Sequence, residues 1–106
     1  MIAPSRIRAL CHRIAEEFRP ERIILFGSHA SGHAREDSDV DLLVVIPFRG
    51  KCARKAVEIL NHVEPDFPVD VIVRTPRQMR ERLADSDFFL REVVKNGKIH
   101  YEAAHP

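Results

Sequence analysis

The chain has 106 residues, 44% of them hydrophobic and 31% charged, and its 17 basic and 16 acidic side chains leave a formal charge of +1. That composition supports one modest core burying about two thirds of the unfolded surface, so a single domain over residues 1–106 is expected, with disorder expected only at the ends. The near-neutral balance gives no strong signal for nucleic acid; with no leader-like core at the start and no apolar stretch near the roughly 20 residues that span a bilayer, a cytoplasmic setting away from membranes is expected.

In chain order, Pro4-Ser5 opens a segment in which Ile7, Leu10, Cys11, Ile14 and Phe18 recur at helical spacing, and Pro20 stops it. Arg22 to Phe26 reads as the first strand, delivering the chain to Gly27. The polar loop from His29 to Ser38 holds a short helix starting near Ser28, and a second strand runs from Asp39 to Ile46. Pro47 and Gly50 break the chain. Lys51 to His62 is then helical, with Ala53, Ala56, Val57 and Leu60 expected on the packed side and Arg54, Lys55 and Glu58 outside. After Pro65 and Pro68, Val69 to Val73 makes a third strand. Thr75 caps, and Pro76 opens, a helix to about Leu83. Ser86 is the expected cap of a last helix with Phe89, Leu90, Val93 and Val94 facing inward and Asn96-Gly97 as its stop. Ile99 to Tyr101 adds a short edge strand. The fold class is therefore α/β in the α+β sense: a small mixed sheet of three to four strands flanked by helices.

Gly27-Ser28 follows an apolar strand, and after ten residues Asp39-Val40-Asp41 opens another. Side chains alternate along a strand, so Asp39 and Asp41 project on one side, roughly 7 Å apart. Asp70 interrupts a β-branched run that alternation otherwise places wholly in a sheet interior. If its strand lies beside the Asp39 to Ile46 strand, about 4.8 Å away, the three carboxylates converge. Two charges about 5 Å apart repel by roughly 3 kcal/mol at an effective dielectric near 20, so three pairs cost on the order of 10 kcal/mol unless something neutralises them. Oxygen ligands without Cys or His nearby favour hard cations, and Mg²⁺ in particular takes one or two carboxylates plus substrate phosphates. Gly27 lets the backbone approach a phosphate, the following helix start presents N–H groups, and the Ser28 hydroxyl adds a donor. The simplest alternative for Asp39 and Asp41 is a solvated pair at a strand edge.

Gly-Ser, ten residues, Asp-x-Asp and a later strand-borne Asp together resemble the minimal nucleotidyltransferases of the DNA polymerase β superfamily. With the small size and the tail strand, the pattern is similar to the MntA-type antitoxins encoded beside HEPN-domain toxins. The resemblance covers nearly the whole chain, with its specific part in residues 21–46 and 67–73. It implies a polymerase β-like fold, two Mg²⁺ ions on Asp39, Asp41 and Asp70, ATP held through Gly27 and Ser28, and transfer of AMP to a tyrosine hydroxyl of a cognate HEPN toxin. His29 and Ser31 stand where relatives often carry a basic residue after Gly-Ser and an Arg before the next Gly, so the phosphate contacts of those side chains are not implied here. Two other functions remain open from the sequence. One is a binding antitoxin that occludes its partner without chemistry. The other is nucleotide transfer to a small molecule or RNA, which needs an acceptor pocket larger than so short a domain encloses.

Other conspicuous residues have plainer readings. His29 and His33 sit four apart but lack a third ligand at zinc spacing, and solvated loop histidines are the simpler reading; His105 carries no signal. Arg77, Arg80, Arg82 and Arg91 read as a solvated helix face. Cys11 and Cys52, far apart, read as small buried apolar residues, and Tyr101 as core or edge packing. Homo-oligomers are possible.

Overall fold

The computed structural model describes residues 1–104, which leaves His105 outside the described residues. The order of elements is α1 (Pro4–Phe18), β1 (Arg22–Phe26), α2 (Ser28–Ser31), β2 (Val40–Val45), α3 (Cys52–Val63), β3 (Val69–Arg74), α4 (Pro76–Ala84), α5 (Phe88–Asn96) and β4 (Lys98–Glu102). The strands form one mixed sheet in the order β3-β2-β1-β4. β1 pairs antiparallel with both β2 and β4, whereas β2 and β3 run parallel, the crossover between them being made by α3.

The two faces of the sheet are set by alternation. From β1 and β2, Ile23, Leu25, Val40, Leu42, Val44 and Ile46 point to one side, where they pack with Ile7, Leu10, Cys11 and Ile14 of α1 and Ala56, Ile59 and Val63 of α3. Ile24, Leu43 and Val45 point to the other, against Met79 of α4 and Leu90 and Val93 of α5, with Phe26, Ile72 and Leu83 partly buried beside them. Full burial of each large apolar side chain contributes about 1.5–3 kcal/mol, so the first face carries most of the stability.

Helix boundaries follow local chemistry. α1 has Pro4 in its first turn and ends at Phe18, two residues before Pro20; between them Arg19 takes a left-handed conformation (φ 49°) and its N–H donates to the Ala15 carbonyl. α4 has a reciprocal capping box: Thr75 Oγ1 accepts from the Gln78 N–H while Gln78 Oε1 accepts from the Thr75 N–H.

Four expectations need correction. The packed side of α3 is Ala56, Ile59 and Val63, with Cys52 partly buried, while Val57 is 56% exposed and Ala53 lies outside. The cap of α5 is Asp87, whose carboxylate accepts from the Leu90 N–H at 2.9 Å; Ser86 is left-handed (φ 63°), a conformation unsuited to a capping residue, which needs extended backbone. Only Leu90 and Val93 of α5 are buried, leaving Phe88 83%, Phe89 43% and Val94 40% exposed. The Asp70 strand lies at the edge of the sheet, so its alternation is that of a half-covered strand rather than an interior one. Gly97 does stop α5, but in extended backbone (φ −72°); a methyl there would collide with the Val93 carbonyl and sit 2.6 Å from Ile24 Cγ2, so close packing of α5 on β1 demands the glycine.

Among the described residues, no helix is long and apolar enough to cross a membrane.

Candidate active site

β2 and β3 fix the geometry. Their parallel register sets Asp41 directly beside Asp70, and the antiparallel register with β1 sets Asp41 beside Phe26. Residues paired across a ladder share a face, so Asp41 and Asp70 both project on the side that carries Leu43, Val45 and Ile72. Asp39, one residue before β2 begins, is exposed, as is Asp70; Asp41 is half-buried. α5 reaches Phe26, the ladder partner of Asp41, through Phe89, and the carboxylates beside it remain open to solvent.

Asp41 has the most constrained setting. Gly27, in a conformation that L side chains rarely adopt (φ 75°, ψ −154°), lies beneath its carboxylate so closely that a methyl group on Gly27 would collide with Oδ2. Burial pushes the Asp41 carboxyl above its ordinary value; the charges of Asp70 and Asp39 push the same way, and His29 pulls against them. Asp39 and Asp70 are thus near enough for their charges to be felt at Asp41. Asp39 and Asp70 are open to water, however, which screens them. The repulsion is therefore smaller than three converging buried charges would suffer.

An oxygen-only set on adjacent strands suits a hard cation. Among the described residues no three His, Cys, Asp or Glu side chains are gathered closely enough to hold an ion unaided. The donor set therefore fits magnesium in its usual manner, shared between one or two carboxylates and the oxygens of a bound phosphate, and does not fit an all-protein cage.

Gly27 and Ser28 start the single-turn helix α2, which Gly32 (φ 82°) ends. Its later N–H groups are taken: Ala30 and Ser31 donate to the Gly27 carbonyl and His33 to that of Ser28. The N–H groups of Ser28 and His29 have no backbone acceptor among the described residues, and they flank the Asp41 carboxylate's glycine seat. From Gly27 a cleft of about 310 Å³ runs between α2 and α5, bounded by Ala30 and Ser31 on one side and Phe89, Glu92 and Asn96 on the other. Phe26 and Phe89 meet edge to face in it, with ring centroids 5.5 Å apart.

His29 is neither a metal ligand nor a solvated loop residue. Its Nε2 accepts from the Ile2 N–H at 3.3 Å, so the ring proton sits on Nδ1, which lies 3.1 Å from the Asp39 carbonyl and donates to it. The ring therefore ties the start of the chain to the strand that carries the acids. Nothing in the sequence signals this, because Ile2 and His29 meet only in the folded chain. His33 Nδ1 is 3.1 Å from Ser31 Oγ at the surface. The basic stretch is spread over exposed helix faces, with Arg77 on Glu81 at 2.8 Å and Arg82 on Asp87 at 3.7 Å. Cys11 is buried, its thiol pushed up to about 12 by burial, which leaves it inert. Cys52 is half-buried and donates to Gln78 Oε1 at 3.2 Å. Tyr101 is half-buried against the first core.

The profile of the family described as "Nucleotidyltransferase domain" matches residues 7–100. The chain belongs to that family. Among solved structures, a nucleotidyltransferase assignment from Sulfolobus solfataricus superposes with a TM-score of 0.63 at 20% identity, covering 92% of this chain and 78% of that one. A toxin–antitoxin solved with AMP-PNP gives 0.59 at 21% identity, over 91% and 73%. A mutant of the toxin–antitoxin MntA–HpeT, carrying Asp-to-Glu changes two positions apart, gives 0.57 at 17% identity, again over 91% and 73%. No curated protein matches the chain in sequence. At these identities the structural likeness establishes the nucleotidyltransferase fold, of which the four-stranded mixed sheet and its flanking helices are this chain's version.

Proposed function

We propose that this nucleotidyltransferase domain, residues 1–106, is a magnesium-dependent enzyme that moves AMP from ATP to a protein hydroxyl, a tyrosine of a HEPN-domain toxin encoded beside it, and so serves as that toxin's cytoplasmic antitoxin. The observation that carries the reading is the placement of Asp41 beside Asp70 and over Gly27, at the uncovered end of the sheet. Family membership supports the reaction class, and the toxin–antitoxin relatives, one of them with an ATP analogue, support the donor and the biological role.

In this mechanism Asp39, Asp41 and Asp70, together with oxygens of the triphosphate, would hold two Mg²⁺ ions. Bound magnesium supplies positive charge to the triphosphate and lowers the pKa of the acceptor hydroxyl. Gly27 leaves the β- and γ-phosphates room against the backbone, and the N–H groups of Ser28 and His29 with the Ser28 hydroxyl donate to their oxygens. Asp70, on the edge strand and open to solvent, accepts the proton of the incoming hydroxyl. The hydroxyl oxygen attacks the α-phosphorus in line; the new O–P bond forms as the bond to the β-phosphate bridge breaks, and pyrophosphate departs with the electron pair.

A second reading, a binder that occludes its partner, is favoured by one feature: the α2 loop spends His29 and Ser31 on hydrogen bonds within the chain instead of offering cations to phosphate. Incubation with labelled ATP, Mg²⁺ and the product of the neighbouring gene separates the two. Label on a tyrosine of the partner, absent with the Asp39→Asn, Asp41→Asn variant, is the expected result. An unlabelled partner that the same variant still neutralises would establish the binder, and label on RNA or a small molecule would move the acceptor.

A further inference from the structure

A second cleft, on the opposite face of the sheet from the acids, has a chemistry the transfer reaction does not use. It lies between the start of α1, α2 and β4, and its volume of about 350 Å³ falls in the range of small-molecule sites. Its floor is apolar, from Ile2, Ile7 and Leu25, while Arg8, Lys98 and His100 bring basic groups to it. No carboxylate lines the cleft beside them. His100 is there because the β1–β4 pairing slips: Ile23 opposes Tyr101 and Ile24 opposes Ile99, so His100 is the extra residue of a bulge, a device that re-aims a side chain. Burial, and then the charges of Arg8 and Lys98, hold its imidazole below the ordinary value. Two cations beside an imidazole whose protonation they oppose, in a cleft that no carboxylate lines, are an arrangement that a doubly charged anion relieves, and Arg8 can meet a phosphate with two parallel N–H donors.

We propose that this cleft binds a small organic phosphate, with the phosphate on Arg8, Lys98 and His100 and the organic part over Ile7 and Leu25. The site is independent of the transfer reaction, but His29 forms part of its wall, so an occupant touches the ring that holds the Asp39 carbonyl.

Calorimetric titration of the full chain with AMP and with inorganic phosphate, both with EDTA present, tests it, since nothing measured then depends on magnesium. Wild type and Asp41→Asn should bind AMP alike and more tightly than inorganic phosphate, and an Arg8→Ala, Lys98→Ala variant, changed only at exposed positions, should bind about tenfold or more weakly. The NMR titration of His100 should move to higher pH when ligand is added, because bound phosphate favours the imidazolium. The other titratable and charged groups lining the clefts beside it are Arg8, His12 and Arg13 of α1, Lys98 and Tyr101 of β4, His29 across the cleft and the Met1 amine. Absence of binding, undiminished binding by the double variant, loss of binding in Asp41→Asn, or an unmoved His100 titration at saturation would each overturn the proposal. AMP binding no tighter than inorganic phosphate would overturn the organic part of it.

Discussion

The sheet's two faces have been given different work. On the α1/α3 side, Val40, Leu42 and Val44 of β2 and Ile46 just after it are all buried, and no polar group interrupts the row. On the α4/α5 side the same strand presents Asp41, then Leu43 and Val45, so its first position stays open while the rest is sealed. One residue of register separates the two rows. The lesson is that charge is tolerated at Asp41 because the opposite face supplies the stability, and the Asp41 carboxylate keeps partial access to water beside two exposed acids.

Substitutions on either side can break that contrast. The largest loss of stability is expected from Leu42→Ala on the sealed face, about 2–5 kcal/mol by chemical denaturation, from lost burial and the cavity left behind. An effect of similar size at Asp41 would mean that the faces do not divide the labour. Asp41→Asn should instead lower nucleotidyl transfer roughly a hundredfold or more while leaving the fold intact. Its effect on melting has a definite sign. Because the folded-state pKa of Asp41 lies above the ordinary value, the stabilising protonated form is fully present below the unfolded pKa and is lost as pH rises through the folded one. The Asn variant should therefore melt higher than wild type at neutral pH, with the gap closing as pH falls below the ordinary carboxylate range. Added Mg²⁺ and ATP should raise the melting point of wild type only.

Gly27→Ala tests whether the glycine serves the site or merely the turn. It should cost about 1–3 kcal/mol from the positive φ, and, by driving the Asp41 carboxylate aside, should reduce transfer by more than the loss of folded protein explains. The smallest expected effect is Asp87→Ala, which removes the α5 cap for about 1 kcal/mol in thermal or denaturant unfolding and leaves transfer unchanged, because Asp87 does not line the cleft beside Gly27.

Strong local chemistry made much of this legible in the sequence. Pro4, Pro76 and the Thr75 cap mark helix starts, and Gly27 after an apolar run marks the turn under the acids. Alternation over Asp39 to Ile46 assigns Asp41 to its face, and the later Asp70 needs only a neighbouring strand to join it. The chain was less legible where two patterns competed. In α3 the rows through Val57 and through Ile59 are both apolar, and only the sheet beneath decides that Ile59 and Val63 win. At the start of α5, Ser86 and Asp87 are both good caps, and the choice rests on backbone dihedrals that composition does not encode. The exposed Phe88 and the His29 link to Ile2 depend on tertiary contacts between segments far apart in the chain.

In the proposed function Asp41 and Asp70 share a magnesium-bound triphosphate above Gly27. Calorimetric titration of ATP into wild type, Asp41→Asn and Asp70→Asn, at a temperature where all are folded and with Mg²⁺ either present or chelated, tests it most directly. Magnesium-enhanced binding in wild type, with the enhancement abolished by either substitution, is the predicted result. An enhancement that survives in both variants would contradict it.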